Sequence, residues 1–341
     1  MMNICSAASD GTHYLITLKY SIMPSFPKPN FPYTVNLPKE VKALRAYRDS
    51  KPELTIPKAT SKTLRIATWN IANLGEQDRE DIHLKIIAEV ITWFDIVAVQ
   101  ETKENSEHFR KIVGFAGTKY KFIFSDAAGN NERMAFIYDS NKVKVLEEVG
   151  EYAIPPSEYN DIRITDVPTS FNGFDRSPFL VSFDAGGFQF TLMTVHLYYG
   201  DESPKSLNRR GLEVYAVARW ADLRSKSKYT FNGIRDVFAL GDFNLPKRDK
   251  DDLIYKALVK RGLQLPEHTS LVYSNITGDK QYDQIAFLPG TKSRIKSDGV
   301  FPFDNAVFAD LWDPNKPAAF RSYVKYYISD HRPMWLELDI Q

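Results

Sequence analysis

The chain of 341 residues is 43% hydrophobic, 13% aromatic and 26% charged, a composition that suits a folded core and argues against disorder. Lys and Arg total 44 against 43 Asp and Glu, so no net field holds a polyanion, and nucleic-acid binding would have to come from a local patch. The single cysteine, Cys5, excludes an internal disulfide framework and every zinc site built from several thiolates.

The N-terminal stretch MMNICSAASDGTHYLITLKY has neither a basic segment nor a continuous apolar run, which reads poorly as a signal peptide and points to the cytoplasm. Prolines at 24, 27, 29, 32, 38, 52 and 57 interrupt residues 1–62, so this part is expected to be an irregular arm. Within it, Pro38 to Arg48 predicts one short helix, with Pro38 in the first turn and Val41, Leu44 and Tyr47 on one side.

Residues 63–341 form the expected catalytic domain. Short apolar runs predict strands at 64–71, 96–100, 121–125, 134–138, 179–183, 188–197, 236–240, 282–288 and 333–339. Gly186-Gly187 between two of them is a hairpin signal, because both positions accept positive φ. Helical periodicity covers 79–93, 205–226 and 249–262. Hairpin-linked strands mixed with helix-separated ones predict an α/β (α+β) fold of mixed sheets with helices outside. No run of about 18 apolar residues occurs, so no membrane span is expected.

Polar residues recur where these apolar strands end, which is where a rigid scaffold presents functional groups. Asn70 closes Ile66-Ala-Thr-Trp-Asn70, and Glu101 closes Ile96-Val-Ala-Val-Gln-Glu101. Glu132 precedes Met134 to Tyr138, and His196 ends the apolar run from Phe190; a histidine titrates near neutrality and can move protons. In Gly241-Asp242-Phe-Asn244, the acid and the amide share a face if the strand continues through both, and otherwise form a turn. Gly241 lets a neighbouring backbone or ligand come close. Asp283 sits among apolar strand residues and needs a partner, a histidine or an arginine. Asp330 and His331 stand side by side before the last strand. Together these supply hard oxygen ligands for a cation, Glu101 and Asp330, and two histidines with candidate acids to fix their tautomers. Phosphodiester hydrolysis requires this inventory.

At TWN 68–70, QE 100–101, GDFN 241–244 and SDH 329–331 the sequence resembles the endonuclease/exonuclease/phosphatase superfamily, in motif order and in the strand before each motif. Glu132-Arg133, His196 and Tyr282-Asp283-Gln-Ile look most like its deoxyribonuclease I branch. The resemblance implies a four-layer α/β/β/α sandwich with two packed mixed sheets. It implies two acid–imidazole pairs, Glu132 with His196 and Asp283 with His331. Glu101 and Asp330 would lie near the metal, with Asn70, Asp242 and Asn244 orienting phosphate and water. Mg2+ is the implied cofactor, with Mn2+ or Ca2+ as alternatives, and DNA the implied partner of a monomer. Arg176 matches a position where related nucleases carry a basic residue near the substrate backbone, and Tyr198 and Arg209-Arg210 would extend that surface. The rival reading is a phosphatase or phosphodiesterase of the same superfamily acting on a phospholipid headgroup, an inositol phosphate or a nucleotide; Lys280-Gln-Tyr-Asp-Gln-Ile lacks the cysteine usual in the inositol phosphate branch. A catalytically silent binding relative is the third; no expected ligand or histidine is missing.

Overall fold

In the computed structural model, which describes residues 26–267 and 272–341, the apolar runs become strands, which with two further edge strands make eleven in two sheets. Cys5 and the N-terminal stretch weighed above as a signal peptide lie outside the described residues. The strands in chain order are β1 (Thr63–Leu74), β2 (Ile96–Lys103), β3 (Tyr120–Phe124), β4 (Glu132–Asp139), β5 (Lys144–Glu151), β6 (Phe179–Ala185), β7 (Phe188–His196), β8 (Val237–Asp242), β9 (Asp283–Phe287), β10 (Ile295–Val300) and β11 (Met334–Asp339). The six-stranded sheet runs β10-β11-β1-β2-β4-β3 and the five-stranded sheet β5-β6-β7-β8-β9. Both are mixed: β1–β2 and β7–β8 are parallel and the other pairs antiparallel.

The helices are α1 (Leu37–Arg48), α2 (Asp81–Ile91), α3 (Glu107–Ala116), α4 (Pro204–Lys226), α5 (Leu253–Val259) and α6 (Pro317–Tyr327). Side-chain alternation along each strand sorts the core into three apolar layers. Odd residues of β1, β2 and β4, such as Trp69, Val97 and Ile137, pack outward under α2, α3 and α6. Odd residues of β7 and β8, such as Val195 and Ala239, pack against α4 and α5. Even residues of these strands face each other between the sheets, among them Ile66, Ala98, Phe136, Phe190 and Phe238. Three apolar layers among four structural ones make the α/β/β/α sandwich.

Four elements escaped the sequence reading. β5 and β10 are edge strands, and their sequences KVLEEVGE and IKSDGV carry the charged and small residues that blunt an exposed edge. α3 holds Gly114 within ten residues. α6 starts at Pro317, with Phe320, Tyr323, Val324 and Tyr327 on its buried side. The Gly186-Gly187 hairpin forms as expected, with φ of 66° and 95°.

The expected arm helix is α1, capped by Asn36, whose side chain accepts from the Lys39 N–H. The arm lies against the outer face of the six-stranded sheet. Leu44 is fully buried there, Tyr33 meets Phe308 and Tyr323 at ring distances of 5.9 and 5.2 Å, and Glu40 accepts from the Phe308 N–H at 2.7 Å. Among the described residues no helix is long and apolar enough to cross a membrane.

Candidate active site

Along the inter-sheet faces, one end of the sandwich changes from hydrocarbon to polar groups while the alternation of the strands continues. The even positions of β7 read Phe188, Phe190, Leu192, Thr194, His196, and those of β8 read Phe238, Leu240, Asp242. On β1, Leu64 and Ile66 are followed by Thr68 and Asn70, and on β2, Ile96 and Ala98 by Gln100. Gln100 Nε2 donates to Thr68 Oγ1 at 3.0 Å and to Thr194 Oγ1 at 2.8 Å, closing the apolar layer with an amide that spans both sheets. Beyond it lie Asn70, Glu132, His196, Asp242 and Asp283, all buried.

Glu101 would face the helices if β2 continued regularly. Instead its φ is 60°, and the registers of β2 with both neighbours shift around it. This bulge carries its carboxylate to the site, where Oε1 accepts from Asn70 Nδ2 at 2.9 Å and Oε2 from the Asn73 N–H at 2.8 Å. Asn70 Nδ2 also donates to Asp242 Oδ2 at 3.1 Å.

Asp242 Oδ2 is the point on which the rest converges. His196 Nε2 lies 3.8 Å from it and His331 Nε2 3.9 Å, so the two imidazoles flank one oxygen. Behind His331, Nδ1 sits 2.7 Å from Asp283 Oδ2. Behind His196, Nδ1 is 2.9 Å from Glu132 Oε2, with the oxygen off the hydrogen-bond direction. Burial alone would push Glu132 up, but His196, then Arg176 and Lys103, hold it down at about 2. Burial would push His331 down; the Asp283 carboxylate, with Asp242 and Asp330 beyond, outweighs it and raises the imidazole well above its ordinary value. Asp330 is raised, chiefly by burial, with Glu101 adding to the effect.

Gly241 supplies the expected close approach. Its φ is 136°, and a Cβ there would stand 2.1 Å from the Val195 carbonyl oxygen, so only glycine lets β8 run this close to β7 just before Asp242. Ser329 ties the last motif to the first: its hydroxyl donates to the Asn70 carbonyl at 2.7 Å and accepts from the His331 N–H at 3.0 Å.

The strand does not continue to Asn244. Its φ is 51°, its N–H donates to Asp242 Oδ1 at 2.8 Å and its side-chain amide donates to the Leu197 carbonyl at 2.7 Å. The pair forms the turn that was the alternative reading, and the amide braces the loop after β7. Arg176 is likewise a brace and not a surface residue. It is buried, its Nε donates to the His196 carbonyl at 2.9 Å, Nη1 to Asp175 at 2.9 Å and Nη2 to the Leu197 carbonyl at 3.4 Å, and Glu132 is 3.6 Å away. Arg210 is fully buried and donates to the carbonyls of Asn244, Tyr199 and Asp201, so it too is absent from the contact surface. Arg209 keeps 42% of its side chain exposed and stacks 3.9 Å over the Tyr198 ring; these two form a rim beside His196.

The residues present fit a divalent cation. Asn70 Oδ1 and Asp283 Oδ1 are buried acceptors without a hydrogen-bond partner. The Asn70 NH2 group bridges two carboxylates that would otherwise repel. Ligand atoms of Asp242, Asp283 and His331 lie within 4.8 Å of one another, but Asp283 Oδ2 and His331 Nδ1 already hold each other, and Asp242 with Glu101, Asp330 and Asn70 forms the more oxygen-rich side. Sequence reasoning missed Lys103, 2.9 Å from Glu132, although its place two residues after Glu101 on the same strand was a signal. It also missed Glu213 on α4, which accepts from the N–H groups of Asp175 and Tyr198 at 3.1 and 3.0 Å, and Arg79; nothing in the local pattern marks either.

The chain matches the Endonuclease/Exonuclease/phosphatase family over residues 67–331. It is 26% identical over 296 residues to a protein named Deoxyribonuclease from Thioalkalivibrio sp. (strain K90mix), covering 82% of this chain and 72% of that one. Its fold is similar to an endonuclease/exonuclease/phosphatase family protein from Bacteroides thetaiotaomicron, with a TM-score of 0.55 and 19% identity over 81% of this chain and 94% of that one. It is also similar to the mannosyl-6-phosphatase Bt3783 of Bacteroides thetaiotaomicron VPI-5482, with a TM-score of 0.54 and 19% identity over 81% and 99% of the two chains. Members of the matched family hydrolyse phosphoester bonds and generally depend on a divalent metal. The strand-end motifs, the two-sheet sandwich and the matched span agree: this chain belongs to the Endonuclease/Exonuclease/phosphatase family.

Proposed function

We propose that this chain is a divalent-metal-dependent phosphodiesterase that cleaves nucleic acid, acting on DNA as a DNase I-like endonuclease. One observation carries the reading: two imidazoles, each backed by its own carboxylate, turn Nε2 toward the same oxygen of Asp242. The choice of DNA is supported by the relative named Deoxyribonuclease, aligned over 82% of the chain; the likeness to a sugar phosphatase is one of fold.

Glu101, Asp330, Asn70 and Asp242 would hold the cation, for which Mg2+ suits the all-oxygen set and Mn2+ or Ca2+ share it. When bound, it neutralises charge that develops on the phosphate. Asp242 Oδ2, between the rings, orients the attacking water. One imidazole accepts that water's proton and the other donates to the departing oxygen. Asp283 fixes the tautomer and angle of the His331 ring by its hydrogen bond, and Glu132, 2.9 Å from His196 Nδ1, backs the other ring by its charge. Asn244 and Arg176 hold the loop that follows His196, and the half-exposed Arg209–Tyr198 stack, its guanidinium paired with Asp175 and Glu213, offers an aromatic face and a cation to the strand beside the scissile bond.

Supercoiled plasmid with Mg2+ or Mn2+ tests this. Nicking is expected, lost with EDTA, restored by added metal, and lost in His331→Ala. Phosphate release from a phosphomonoester without nicking would move the assignment to the phosphatase reading. A folded protein inert to both substrates would be the silent relative.

A further inference from the structure

Arg79 follows β1 in a segment that no site motif includes, yet its guanidinium is buried and reaches two segments on which the metal reading depends. Nη2 donates to the Ala72 carbonyl at 2.5 Å, the Ile328 carbonyl at 3.2 Å and Gln77 Oε1 at 2.8 Å; Nη1 donates to the Asn73 carbonyl at 3.3 Å and Nε to the Tyr327 carbonyl at 3.2 Å.

Both segments need those donors. Where β1 slips against β2, between Asn70 and Leu74, the ladder no longer supplies every carbonyl with an N–H. At the other side α6 ends at Tyr327, so the carbonyls of Tyr327 and Ile328 have no partner within the helix, and a cation there also faces the negative end of the helix dipole. Ala72 and Asn73 come two and three residues after Asn70, and the Asn73 N–H holds Glu101 Oε2. Tyr327 and Ile328 come three and two residues before Asp330. Glu101 and Asp330 both lie within electrostatic reach of the guanidinium.

We propose that Arg79 is a positioning residue for the metal centre: by joining the bulged end of β1 to the last carbonyls of α6, it holds Asn70, Glu101 and Asp330 at one spacing and sets the affinity for the divalent cation. This rests on the metal-dependent reading above. The planar fork matters as well as the charge, since an ammonium cannot span carbonyls on two segments in one plane.

Calorimetric titration of Mn2+ into the full chain is the test, with turnover of bis(p-nitrophenyl) phosphate beside it and circular dichroism to confirm folding. Arg79→Lys is expected to bind Mn2+ about 10- to 100-fold more weakly, the cost usual for a residue behind metal ligands, with turnover at saturating Mn2+ within about threefold of the parent. A parent chain that binds Mn2+ while folded Arg79→Lys binds it equally well overturns the proposal and leaves the functional reading standing. A parent chain that binds no Mn2+ overturns both. If Arg79→Lys does not fold, Gln77→Ala, which removes one acceptor of the guanidinium, is titrated in its place. A loss of about 3- to 10-fold in Mn2+ affinity is then expected, below the full effect of a residue behind metal ligands, and an unchanged affinity overturns the proposal.

Discussion

Asn70 of β1 and Asp242 of β8 belong to different sheets, and one amide–carboxylate hydrogen bond of 3.1 Å joins them. Because the same NH2 group also serves Glu101 at 2.9 Å, a single side chain bridges two carboxylates and links the two sheets at the site. Asn70→Asp replaces that donor with a third negative oxygen pair. In EDTA the variant is expected to lose about 1–3 kcal/mol of stability, the range for a buried group deprived of its partner. Added Mn2+ should recover more stability in the variant than in the parent, since the cleft would then offer the cation a further negative ligand. Scanning calorimetry with and without Mn2+ reads both effects, and an unchanged melting temperature in EDTA contradicts the bridging role.

In the proposed reading Asp283 acts on the reaction through His331, which it holds at 2.7 Å. Asp283→Asn is therefore expected to lower turnover by roughly 100- to 10,000-fold. On a His331→Ala background the same change should add less than about threefold, because residues that act as a unit are not additive. Additive losses in plasmid nicking would show that Asp283 has a second role.

Glu213 gives a stability signature independent of the cation. Burial, against the pull of the Tyr198 N–H and Arg209, pushes its carboxyl up to about 7. Below about pH 4.5 both folded and unfolded chains hold this proton. Between about 4.5 and 7 the unfolded chain loses it and the folded chain keeps it, so this contribution to stability falls as pH rises, by on the order of 3 kcal/mol across the window. Glu213→Gln removes this pH dependence. Denaturant unfolding of parent and variant should diverge by about that amount in favour of the variant on going from pH 4.5 to 7, and parallel curves would refute the raised carboxyl.

The arm is expected to contribute stability and no chemistry. Leu44→Ala, at a fully buried position, is expected to cost about 2–5 kcal/mol. Turnover per folded molecule at saturating metal should stay at the parent value. A selective loss of turnover without a loss of stability would mean that the arm reaches the site.

Period-two patterning made most of this site readable. His196, Asp242 and Asn70 fall on the same strand faces as the Phe, Leu and Ile residues before them, so the strands that could be read from sequence also show which side chains meet between the sheets. Glu101 breaks the pattern: its face depends on a bulge, and a bulge leaves no mark in hydrophobic alternation. Asn244 and Arg176 were assigned to substrate because their chemistry suits phosphate, whereas backbone carbonyls at loop ends claimed their donors first. Those carbonyls are invisible until the loops are placed. Arg79 and Glu213 were missed for the same reason, which also explains why Arg210 lies buried and not on the expected surface. β5 and β10 were missed because an edge strand need not look apolar.

The order in which the sandwich closes has a consequence for the timing of activity. Asp330 and His331 stand immediately before β11, which pairs along β1 from Thr63 to Thr68, and the Trp69 indole donates to the His331 carbonyl across 262 residues. Such a closure is among the slowest kinds in folding, because it joins distant parts of the chain. In the proposed reading, a polypeptide still being synthesised, or one cut short ahead of Asp330, holds Asn70, Glu101 and Asp242 without Asp330, His331 and the strand that follows them. Such fragments are expected to lack hydrolytic activity.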